Sequence, residues 1–243
     1  SSTLAPSSSS LSQQQTIMCR LPSNPTAETV VPPVKGNVQP IPLIIFDWDD
    51  TLYPTSALAE MGHHLTSTVE VTPELSTALQ TQAVEAMETL RLAATAGIVV
   101  IVTAAEAGWV EQTCAKYMPA LLPALEGPEA WVRVISARST YEPQGFEGSF
   151  EWKAQAFHAI ATAHFSTQPQ AGERHIVSIG DADYERHALQ KVAQATGCWG
   201  KSLKLLRAPS ITRLTEEAGL MRSALGQMAA QEAHLDLQME PQW

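Results

Sequence analysis

Basic residues are scarce in this 243-residue chain: 15 Lys and Arg stand against 25 Asp and Glu, a formal charge of −10. That balance argues against a broad nucleic-acid-binding face, which needs clustered cations. Cysteine is scarcer still. Cys19, Cys114 and Cys198 are widely spaced and form no CxxC pair, so neither a disulfide framework nor a structural zinc site is expected. Reduced thiols fit an intracellular compartment, cytoplasmic or organellar (mitochondrion or plastid). No apolar run is long enough to span a bilayer. What the chain does have is hydrophobic residues at 44%, sufficient for a real core in one mid-sized domain with tails.

Acids are nearly absent from residues 1–40, where Glu28 stands alone among Ser, Thr, Pro and Gln. Such a segment cannot bury enough apolar surface to order itself, so it reads as a disordered or extended leader. Ser-rich, acid-poor composition also suits an organelle-targeting remnant, although only Arg20 and Lys35 are basic. A docking arm for a protein partner is the third reading. Residues 41–229 read as the folded domain and 230–243 as a polar tail, with Trp243 a candidate contact for a partner.

Within the domain, apolar β-branched runs alternate with helical patterns. Strands are expected at Ile41–Phe46, Ile98–Val102, Trp131–Ser136, His175–Ile179 and Leu203–Leu206. Helices are expected from Thr72-Pro73 to Gly97, over about 107–117, over Trp152–Phe165, over Tyr184–Thr196 and over about 211–228. The alternation predicts a three-layer α/β/α sandwich around a mainly parallel, five-stranded Rossmann-like sheet.

The chemistry gathers where strands end. Three carboxylates within four residues, Asp47, Asp49 and Asp50, follow the apolar IPLIIF run, and Thr51 comes next. Like charges so crowded require water or a cation. Thr103 follows the second strand; Gly180, Asp181 and Glu185 follow the fourth; Lys153 lies on the helix before it. In an open parallel sheet these carboxyl ends converge on one crevice.

With its apolar strand then FDWDDTL, the apolar IVVIVT, the lysine of EWKAQ and the strand-borne SIGDADYE, the chain resembles the haloacid dehalogenase superfamily of aspartate-nucleophile phosphohydrolases. The resemblance spans roughly residues 41–207, and its first and last motifs are the specific ones. It implies a Mg²⁺-dependent phosphomonoester hydrolase working through an aspartyl-phosphate on Asp47. It further implies Asp49 as general acid and base, Thr103 and Ala104 at the phosphate, and Lys153 orienting the nucleophile. The metal would take Asp47, Asp181 and the Asp49 backbone carbonyl, with Glu185 reaching the ion's waters. Ala104 departs from the Asn or Gly of many relatives. Asp49 disfavours dehalogenation, and the lack of membrane spans excludes an ion pump.

Plainer readings attach to several neighbours. Asp50 suits a solvated turn or a support for its loop, and Asp183 competes with Glu185. His63 and His64, adjacent on a helix, would point apart and so make a poor metal pair. Trp48 should turn away from the acids, while Lys116, Arg133 and Arg138 have no assigned place. Only a short flap, about 52–72, fits after the first motif. An open site of that kind suits a phosphoprotein or another large phosphoester. The rival from another class is an idle subunit of a larger assembly, held by its N- and C-terminal arms.

Overall fold

The computed structural model describes residues 40–168 and 173–240. The leader, Cys19 and Trp243 lie outside them.

Six parallel strands form one sheet in the order β3-β2-β1-β4-β5-β6. These are β1 (Leu43–Phe46), β2 (Ile98–Thr103), β3 (Arg133–Ser136), β4 (His175–Gly180), β5 (Trp199–Lys204) and β6 (Leu235–Gln238). Alternate residues of the central strands feed two separate cores, as period-2 geometry requires. Ile44, Phe46, Val99, Ile101, Val177 and Ile179 join one core. Leu43, Ile45, Val100, Val102 and Ile176 join the other.

The first core lies under α2 (Pro73–Ala96) and α8 (Ile211–Ala230); the second lies under α6 (Gly148–Ser166) and α7 (Asp183–Thr196). Four shorter helices complete the described residues: α1 (Thr55–Glu60), α3 (Trp109–Tyr117), α4 (Leu122–Leu125) and α5 (Ala137–Tyr141). The sandwich predicted from sequence is therefore present. Thr72 caps α2 as anticipated, its Oγ1 accepting from the Leu75 N–H at 3.2 Å.

The sheet departs from expectation at one edge. It has six strands, not five, because the supposed polar tail supplies β6, paired in parallel with β5. Leu235, Leu237 and Met239 pack on the core while Asp236 and Gln238 face outward. That alternation was visible in LDLQM, but so short a run among charged residues reads as tail. Asp236 also ion-pairs with Arg186 of α7.

β5 itself begins four residues earlier than predicted, since Lys201 and Lys204 interrupt the apolar pattern that marks a buried strand. Both are buried nonetheless. Lys201 Nζ lies 2.5 Å from His175 Nδ1 and donates to the Ala229 carbonyl at 3.2 Å, so its charged end has partners inside.

A second buried charge sits on α8. Glu217 is fully enclosed, with Arg213 Nε 3.5 Å away, and burial pushes its carboxyl up to about 7 against the opposing pull of that arginine. The unfolded value is about 4.3. Stability from this group is therefore complete below about pH 4 and lost as pH rises through about 7. Glu217→Gln should stabilise the protein at pH 8 by about 1–3 kcal/mol, the gain being much smaller at pH 5 and vanishing below about pH 4. Urea denaturation at both pH values checks this; an equal effect at the two would contradict it.

Candidate active site

The chain runs outward from β1 through β2 to β3, then returns to build β4, β5 and β6 on the other side. The strand order thus reverses beside β1, and the crevice beyond the carboxyl ends of β1 and β4 is where such sheets bind ligands. Asp47 leaves β1 there, its N–H bonded to the Ile179 carbonyl of β4 at 2.9 Å. Asp181 leaves β4 immediately opposite.

Carboxylate oxygens of Asp47, Asp181 and Glu185 lie within 4.8 Å of one another, the one such grouping among the described residues. Lys153 reaches them from α6. Its Nζ sits 2.7 Å from Asp47 Oδ1 and ion-pairs with Glu185 Oε1, all three side chains being essentially buried. The ammonium is thus shared between Asp47 and Glu185. Three carboxylates against one ammonium leave two negative charges unmatched.

The electrostatics follow from that imbalance. Burial raises the Asp47 carboxyl well above its ordinary range; Lys153 pulls it down, while Glu185 and Asp49 push it further up. Asp181 is pushed up to about 7 by burial, with Asp47 and Asp50 adding to the rise and Lys153 and Arg207 opposing it. For Lys153, burial works against the charge, but Asp47 and Glu185 prevail and hold the ammonium. The Tyr184 ring covers that ammonium at 5.1 Å.

Glu185 explains the glycine before Asp181. A Cβ on Gly180 would stand 2.7 Å from Glu185 Cγ, so only hydrogen leaves room for that side chain to cross the loop. There it accepts from the Ala182 N–H at 3.1 Å, while its other oxygen holds Lys153. As folded, Glu185 braces both the Asp181 loop and the lysine. Asp183, its competitor, is exposed.

Asp49 lies on the other side of the loop that follows β1. Oδ1 accepts from Thr55 Oγ1 at 2.5 Å and Trp109 Nε1 at 2.9 Å, and Oδ2 from Thr103 Oγ1 at 3.2 Å. A hydroxyl has one proton, so in this arrangement Thr103 spends it on Asp49 and not on a phosphoryl oxygen. The same Oγ1 accepts from the Ala105 N–H at 3.0 Å. Ala104 offers no side-chain donor, and Thr51 buries a hydroxyl that lacks a partner.

Asp50 takes the second of its two expected readings, a support for its loop, because it is buried and not solvated. At a φ of 51°, it accepts from the Ser56 N–H at 2.8 Å and from the Ser56 hydroxyl, which makes it the support of the turn into α1. Trp48 does turn away from the acids. It stacks on Tyr53 and donates from Nε1 to Thr113 Oγ1 at 3.0 Å. His63 and His64 lie in the segment after α1, not on a helix as expected; His63 is buried edge-on against Tyr117 and His64 is exposed.

The flap is short and stapled. Lys116 Nζ donates to the carbonyls of His64, Leu65 and Ser67, each at 2.9 Å, and Tyr117 adds a bond to His64. Arg138 pairs with Glu142 on the surface, and Arg133 sits exposed on the edge strand β3. Sequence reasoning missed Thr55, Trp109 and Tyr184: Trp109 is sixty positions from Asp49, while Thr55 and Tyr184 stand beside or within the motifs but carry no pattern that shows which way they point. No family model, curated protein or solved structure matches the chain.

Proposed function

We propose that this protein is a divalent-cation-dependent phosphomonoester hydrolase that uses Asp47 as its nucleophile. The observation that carries the reading is the meeting of buried Asp47 and Glu185 and half-buried Asp181 with a single lysine at the strand-order reversal. Three carboxylates gathered against one ammonium make a set of oxygens that fits a hard cation such as Mg²⁺. Asp47 and Asp181 are the side chains that would hold it, with Glu185 reaching its waters and the Asp49 carbonyl implied by the family resemblance. When bound, the ion offsets the repulsion between a carboxylate and a phosphate dianion.

The residues divide the work. A carboxylate oxygen of Asp47 forms a bond to phosphorus as the bond to the leaving oxygen breaks, and Asp49 gives that oxygen its proton. Water then attacks the phosphorus of the aspartyl-phosphate, its proton returns to Asp49, and phosphate departs with Asp47 restored. Lys153 keeps Asp47 oriented and shares its charge.

The short flap, held down by Lys116, leaves the crevice without a large cap, which favours a phosphoprotein or another bulky phosphoester. Purified protein should release phosphate from p-nitrophenyl phosphate with Mg²⁺ and stop when EDTA removes it. Absence of turnover at any Mg²⁺ concentration would defeat the reading in favour of an idle subunit.

A further inference from the structure

Resting on that reading, we propose that Trp109 is the positioning residue for Asp49, and that its indole decides how well this site handles substrates with poor leaving groups. Trp109 is the first residue of α3 and sixty positions from Asp49, yet its Nε1 donates to Asp49 Oδ1 at 2.9 Å. The same oxygen takes Thr55 Oγ1 from the flap side, and the opposite oxygen takes Thr103 Oγ1 from β2. Three donors from three elements leave the carboxylate little rotational freedom, and the rigid indole is the least adjustable of them.

The local backbone is built to deliver that indole. Gly108 takes a φ of 84°, a left-handed conformation that favours glycine, and so turns the chain sharply into α3. The Trp109 N–H closes this turn on the Glu106 carbonyl at 3.1 Å. Four residues on, Thr113 donates to the Trp109 carbonyl at 2.7 Å and accepts from Trp48 Nε1 at 3.0 Å. Two neighbouring residues of the nucleophile loop, Trp48 and Asp49, are thus tied to one helix by two indoles pointing in opposite directions. The chain spends two of its six tryptophans on this junction.

The consequence is specific to proton donation. p-Nitrophenolate departs near neutrality without a proton, whereas the alkoxide of β-glycerol phosphate does not. Trp109→Phe keeps the ring and removes only the N–H donor. Its kcat/KM should fall about tenfold to a hundredfold on β-glycerol phosphate but stay within about threefold of the parent on p-nitrophenyl phosphate. Thr55→Val, which removes the other donor to Oδ1, should give the same split and serves if the first variant folds poorly. Equal losses on the two substrates, or no loss on either, overturn the role. A parent without turnover overturns the hydrolase reading itself, so the two failures are distinct.

Discussion

Asp47→Asn should lower phosphate release from p-nitrophenyl phosphate by about a thousandfold or more while leaving the fold intact. The amide keeps the shape of the carboxylate but cannot attack phosphorus. It also removes one of three crowded acids, whose ionised form burial already disfavours. Lys153 keeps Glu185 as its partner in the variant. Steady-state assays at saturating Mg²⁺, with thermal unfolding of the same samples, make the comparison. More than about a tenth of parental activity in a folded variant would remove Asp47 from the nucleophile's role.

Lys153→Met acts on both activity and folding. It deletes the one cation among Asp47, Asp181 and Glu185 and replaces it with a side chain of similar length. Breaking a buried charge network from one side typically costs about 3–5 kcal/mol, because the remaining charges stay buried without compensation. The cost depends on pH in a defined direction. Asp181 already has a folded pKa of about 7, above its unfolded value, and removing the opposing lysine raises it further. Stability from such a group is full below about pH 4 and lost as pH rises through the folded pKa. The deficit in EDTA should therefore be large at pH 8 and much smaller at pH 5, and Mg²⁺ should recover part of it at pH 8. Activity should fall about a hundredfold or more. A variant as stable as the parent in EDTA at pH 8 would mean that the lysine does not balance these acids.

Several elements were legible because their local pattern admits one solution. The apolar runs of β1, β2 and β4 could only be central parallel strands, and an N-cap followed by proline placed α2 to the residue. The three polar clusters at strand ends could be named without coordinates, since parallel topology sends all those ends to one side. Where pattern was weak, the reading slipped. β5 carries two buried lysines, and the burial of Lys201 depends on His175 and on a carbonyl of α8, partners that no local window contains. β6 alternates over only four residues, and its place in the sheet depends on β5 being available as a neighbour.

By itself, then, the amino-acid order determined the sandwich, the position of the acids at the edge of the sheet and the lysine that accompanies them. These follow from short-range periodicity and from the directionality of parallel strands. Only the tertiary structure decided that Lys153 lies between Asp47 and Glu185, that Asp50 supports a turn instead of facing water, and that Trp109 reaches Asp49. Those facts depend on ångström-scale contacts between residues up to 106 positions apart. Such contacts are selected by the packing of whole helices against the sheet, not by the preferences of any one segment.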